Sequence, residues 1–157
     1  MISRLAAMAL VTVSFMSAEV YELRTYYCLP GRLDALNARF KNHTMKLFEK
    51  HGMTNLGYWV PQDEPEKGPK KSNTLIYIIK HKSRTAAKAS WDAFRADPDW
   101  KKAQGDSEKD GKIVDHVESV FMDAVPYSPM PPANPNTAPR TVAPAISPPV
   151  GHRPSRP

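Results

Sequence analysis

A chain of 157 residues with one cysteine and 16 prolines has room for a single modest core, and it excludes an internal disulfide or a cysteine-rich metal site. Four of its 22 basic residues (Arg4, Arg140, Arg153 and Arg156) lie outside residues 19–125, which hold all 16 acidic ones. The formal charge of +6 therefore shrinks to +2 there, too small an excess to build a basic face, which argues against nucleic-acid binding.

Residues 1–18 carry one charge, Arg4, ahead of an apolar run from Leu5 to Met16. The run is too short to span a bilayer and has the form of a secretory signal, although Phe15 or Met16 fills the −3 position of cuts that suit the domain boundary. Export to the periplasm or exterior is the first expectation. The rivals are a cytoplasmic protein starting at Met16 and a mitochondrial presequence, which a single Arg disfavours. No membrane span is expected.

The first strand is predicted over Val20–Tyr27, where Glu22 and Arg24 share one face and Tyr21, Leu23 and Thr25 the other. Cys28 follows as a small half-buried residue rather than a reactive thiol. After the turn at Leu29-Pro30-Gly31, one continuous helix is expected from Arg32 to His51. Leu33, Leu36, Phe40, Leu47 and Phe48 form its buried stripe. His51-Gly52 closes it with a capping cation and a glycine free to take positive φ. His43 lies on or beside that stripe, where a hydrogen-bonded core histidine is the plain reading and a catalytic or ligand role the sharper one.

A second strand is expected at Leu56–Val60. An exposed connection, Pro61–Ser72, leads to a third strand at Thr74–Lys82. Leu75-Ile76-Tyr77-Ile78-Ile79 is apolar on both faces, which predicts a strand covered on both sides. Ser83 caps a helix to Ala96 with Ala87, Trp91 and Phe94 facing inward. Asp97-Pro98 restarts a short helix carrying Trp100 and reaching about Asp110. A fourth strand at Ile113–Met122 again places ionisable groups, His116 and Glu118, on one face.

The order β-α-β-β-α-β predicts an α+β, ferredoxin-like fold: a four-stranded antiparallel sheet with helices on one side and an extra short helix after the second. The uncovered face then needs a partner, and a second copy of the chain in a two-fold dimer is the simplest one. Glu22, Arg24, His116 and Glu118 are expected to form a polar network inside that dimer.

Six collinear segments resemble the NIPSNAP family: Val20–Tyr26 (VYELRTY), Pro30–Leu36 (PGRLDAL), Leu47–Met53 (LFEKHGM), Gly57–Trp59 (GYW), Ala89–Phe94 (ASWDAF) and Val117–Met122 (VESVFM). The resemblance covers residues 19–129 and implies pairing as a dimeric α/β barrel. The wider superfamily includes cofactor-free monooxygenases, isomerases and haem proteins. NIPSNAP proteins themselves are linked in animals to mitochondria, vesicle traffic and protein interaction. The family brings no catalytic motif to carry over.

The domain is bounded at residues 19–125. Residues 126–157 are Pro-rich, lack acidic residues, and are expected to be disordered or polyproline-II-like. They read as a plain basic tail or as an arm that binds a protein partner.

No nucleophile–base pair, metal-ligand cluster or Gly-rich phosphate loop is visible in the sequence. The functional reading is therefore a NIPSNAP-like dimeric α/β-barrel protein of undefined molecular activity, acting as a non-catalytic interaction module. The alternative is a cleft between helices and sheet, lined by Arg24, His43, Tyr58, Tyr77, Trp91 and Trp100. Such a cleft would hold a small hydrophobic or aromatic ligand or support cofactor-free oxidoreductase or isomerase chemistry. No cofactor is expected; haem, with His43 or His116 as axial ligand, is a weaker alternative.

Overall fold

A computed structural model describes residues 19–129. The expected leader (1–18) and all but the first residues of the expected tail lie outside the described residues.

The chain runs β1 (Val20–Cys28), α1 (Leu33–Arg39), a π-helical turn (Phe40–Thr44), α2 (Met45–Lys50), β2 (Thr54–Trp59), β3 (Thr74–His81), α3 (Arg84–Ala96), α4 (Pro98–Ser107) and β4 (Val114–Met122). The four strands form one sheet in the order β2-β3-β1-β4, with every neighbouring pair antiparallel. This is the ferredoxin-like α+β arrangement expected from the sequence.

The first helix departs from expectation. It is interrupted by the π turn, within which the Thr44 hydroxyl donates to the carbonyl of Arg39, five residues back, at 3.3 Å. The wider turn absorbs an extra residue and rotates α2 around the helix axis relative to α1. Leu36, Phe40, Thr44 and Phe48 thus line the inner face, and His43, one position off, is exposed. His43 therefore lies beside the buried stripe rather than on it, and its plain reading as a core histidine fails for this reason.

The helix ends are as the sequence expects. Gly52 takes φ +76°, and the amide of Met53 closes on the carbonyl of Phe48 at 2.9 Å. Ser83 accepts from the amide of Ala86 at 2.9 Å, and Asp97 accepts from that of Asp99 at 2.8 Å with Pro98 in the first turn.

Leu36, Phe40, Phe48, Tyr77, Ile79 and Ile113 form the heart of the core between helices and sheet. Leu75, Tyr77, Ile79 and His81 of β3 point into it; Ile76 and Ile78 point the other way and are only half-buried. Within the single chain β3 is therefore covered on one face alone, where the sequence predicts cover on both. The register places Leu23 opposite Ile78 and Val120, and Ile76 opposite Thr25 and Trp59, so an apolar strip crosses the open face from β2 to β4. Gly57 permits a close approach there: a Cβ at that position would collide with the indole of Trp59.

Candidate functional site

Glu22 projects from β1 toward the helices, not toward the open sheet face. Alternation along β1 puts it with Arg24, Tyr26 and Cys28; pairing with β4 sets it opposite Phe121 and sets Arg24 opposite Ser119. Its side chain is 1% exposed. Four donors converge on the carboxylate. Oε1 accepts from Arg24 Nη1 and from Ser119 Oγ, each at 2.7 Å. Oε2 accepts from Trp91 Nε1 at 2.7 Å and from His81 Nε2 at 2.8 Å.

Burial alone would push the Glu22 carboxyl up. The hydrogen bonds from His81, Ser119, Trp91 and Arg24 outweigh it and hold the group at about 2. An ionised carboxylate only accepts, so Nε2 of His81 carries a proton. The Nδ1 atom of His81 is buried without a hydrogen-bond partner. The Arg24 guanidinium lies 4.3 Å from the Trp91 ring centroid and 5.6 Å from that of Tyr26, so the cation is also held on aromatic faces. Chemically the carboxylate is closed: four donors leave Glu22 no free lone-pair direction for a substrate proton, although of its partners only His81 and Trp91 are buried with it, Arg24 being half-buried and Ser119 exposed.

The six residues expected to line one cleft fall into three groups. Arg24 and Trp91 belong to the Glu22 cluster. Tyr58 and Tyr77 stack with ring centroids 5.3 Å apart, alongside Tyr26 and Phe40, as core. Burial pushes the Tyr77 hydroxyl well above its ordinary range. Trp100 packs on Phe94 at 4.5 Å with the Arg39 guanidinium over it at 5.2 Å. His43 stands apart on the outer helical surface, in a hollow it shares with Lys46, Asp99, Lys102 and Asp106.

The expected four-residue network inside a dimer is likewise divided. Glu22 and Arg24 lie on the helix side, whereas His116 and Glu118 lie on the open face. There His116 stacks on Tyr27 at 4.3 Å and the Tyr27 hydroxyl donates to Glu118 at 3.2 Å. Strand alternation fixes which residues of one strand share a face, but only the pairing register says which faces of two strands coincide.

His81 and Ser119 complete the cluster, and neither is singled out by the sequence reading. The available signal is that His81 continues the Leu75, Tyr77, Ile79 alternation and so shares their buried face. Cys28 is buried rather than half-buried, and burial pushes its thiol up to about 11, which leaves it unreactive. Among the described residues no group of three or more His, Cys, Asp or Glu could hold a metal ion, and no helix is long and apolar enough to cross a membrane.

The NIPSNAP family model matches residues 21–129, over two thirds of the chain. The chain belongs to the NIPSNAP family. Solved structures with the same fold include an uncharacterized NIPSNAP-like domain protein from Burkholderia xenovorans. It is 13% identical at a TM-score of 0.57, covering 71% of this chain and 90% of that one. A NIPSNAP family protein of unknown function from Agrobacterium tumefaciens strain C58 is 22% identical at 0.57, with coverages of 71% and 93%. A second NIPSNAP family protein from that strain is 13% identical at 0.57, covering 71% and 98%. At these identities the likeness concerns the fold of the NIPSNAP domain alone. No curated protein matches the chain significantly.

Proposed function

We propose that this NIPSNAP domain is a non-catalytic interaction module whose first partner is a second copy of itself, the two open sheet faces closing on each other as a dimeric α/β barrel. The observation that carries this reading is the apolar strip across the sheet. Trp59 is 52% and Val120 54% exposed, and Leu23, Ile76 and Ile78 lie between them. A contiguous apolar face of this kind marks an interaction surface. A two-fold axis lets the same strip serve both subunits.

The Glu22 cluster favours a non-catalytic role. Its carboxylate is saturated with donors, so it stabilises the protomer and leaves no free base for chemistry. His116, Glu118 and Tyr27 would supply polar contacts at the margin of the paired faces, and no cofactor enters this reading.

Sedimentation velocity on the purified protein tests it. The expected result is a dimer of the 17.6 kDa chain at micromolar concentration. Ile78→Glu, which buries an unpaired charge in the paired face, should shift the protein to monomer while leaving its far-UV circular dichroism unchanged. A wild-type protein that remains monomeric at about 100 µM, well above the Kd of most stable dimers, would refute the proposal.

A further inference from the structure

A second feature is independent of pairing through the open face. Between α3 and the end of β4 lies a hollow of about 480 Å³, lined by Arg84, Thr85, Lys88, Trp91, Arg95 and Phe121. Its apolar surface comes from Phe121 and the accessible edge of Trp91. Both rings are fixed from behind. Trp91 is tied through Nε1 to the buried Glu22 carboxylate, and Phe121 packs on buried His81 with centroids 5.9 Å apart. The rings are therefore held in place before anything binds, which lowers the ordering cost of association.

The rim is cationic. The guanidinium of Arg84 sits over the Phe121 ring, 3.2 Å from its centroid, and makes no ion pair among the described residues. Lys88 and Arg95 share a single carboxylate, Asp92, at 2.8 and 2.6 Å. Three cations thus face one acid, and all three side chains line the hollow. A mostly apolar recess with a few convergent polar groups is the usual form of a small-molecule site, and its volume falls within the range of about 300–1,000 Å³ common to such sites.

We propose that this hollow binds a small aromatic carboxylate. The ring would lie against Phe121 and Trp91, and the carboxylate would be held by the fork of Arg84 with Lys88 and Arg95 beside it. Arg84 supplies the decisive contact, because a guanidinium can engage both carboxylate oxygens at once and this one has no competing carboxylate. Lys88 and Arg95 add a screened attraction that Asp92 already partly neutralises.

Isothermal titration of the full-length protein with 2-naphthoate tests the site, using 2-naphthamide as the neutral control and the ¹⁵N-labelled Trp91 indole resonance as a local reporter. The expected result is saturable binding of naphthoate that weakens as salt rises and shifts the Trp91 signal. The amide should bind at least fivefold more weakly. Arg84→Gln should weaken naphthoate at least tenfold and Lys88→Gln less than fivefold. Both side chains are exposed, and retained folding is read from circular dichroism.

Four outcomes would overturn the proposal. One is no saturable binding of naphthoate at millimolar concentration. A second is equal affinity for acid and amide, which would make the hollow a plain apolar patch. A third is naphthoate affinity unchanged in a folded Arg84→Gln variant. The last is saturable binding of an acidic peptide, titrated in parallel, with none of naphthoate, which would make the rim a protein-docking surface. Sedimentation run in parallel reports the self-association separately, so failure of one proposal is distinguishable from failure of the other.

Discussion

The two sides of the sheet treat the same kinds of residue in opposite ways. On the helix side Glu22 is buried and receives four hydrogen bonds at 2.7–2.8 Å. On the open side Glu118 is exposed and accepts one bond, from Tyr27 at 3.2 Å. Both are glutamates on adjacent strands, yet one anchors the packing of α3 on the sheet and the other rests at a solvated margin. A buried carboxylate costs free energy to desolvate, so it persists only where the surroundings compensate it fully; an exposed one faces no such condition. The side of the sheet on which a charge falls therefore decides whether it is a structural keystone or a surface group.

The largest test of this contrast is Glu22→Ala. It strips the acceptor from His81, Trp91, Ser119 and Arg24 at once and leaves Arg24 a part-buried uncompensated cation. The loss in urea-unfolding free energy is expected at about 3–5 kcal/mol, the usual cost of breaking a buried pair by removing one partner. A loss below about 1 kcal/mol would mean that the four bonds, of which that from Trp91 joins α3 to the sheet, contribute little to the packing.

Acid stability gives the next effect. The folded-state value of Glu22 is depressed from 4.5 to about 2, so its stabilising contribution is complete above about 4.5 and is lost as pH falls toward 2. Other carboxylates titrate in the same window, so the informative quantity is the difference between wild type and Glu22→Gln. Between pH 5 and 2 the wild-type urea midpoint should fall more steeply than that of the variant. Parallel curves would show that Glu22 does not titrate in a perturbed environment.

The smallest effect belongs to the other side. Glu118→Ala should change the stability of the fold by no more than about 0.5 kcal/mol, as for most exposed positions, measured on the Ile78→Glu background so that the proposed pairing does not enter. A cost comparable with that of Glu22→Ala would erase the distinction between the two faces.

The same contrast shows what can be read from the chain alone. Alternation in β1 puts Glu22 and Arg24 on one face, and their contact at 2.7 Å agrees. Alternation in β4 puts His116 with Glu118, on the face the structure gives them. Superimposing those two faces is where the sequence misleads. The short-range pattern has a period of two and carries no information on which side the helices pack, so two self-consistent strands can be joined in either sense. The π turn is illegible for a related reason. Both 3.6-residue spacing and the wider spacing through Leu36, Phe40, Thr44 and Phe48 fit the sequence, and only packing against the sheet chooses Thr44 over His43 for the inside.

By itself, then, the sequence determined the element order, the helix caps at Ser83, Asp97 and Gly52, the ferredoxin-like class and the family. These rest on local propensity and on spacing within single elements. Tertiary structure alone decided that His81 and Ser119 join Glu22, that His43 stands apart from Arg24, and that three cations of α3 gather around Phe121 of β4. Each of those joins residues from different elements, and their meeting depends on register and on which face packs inward, quantities that emerge only when the strands are paired.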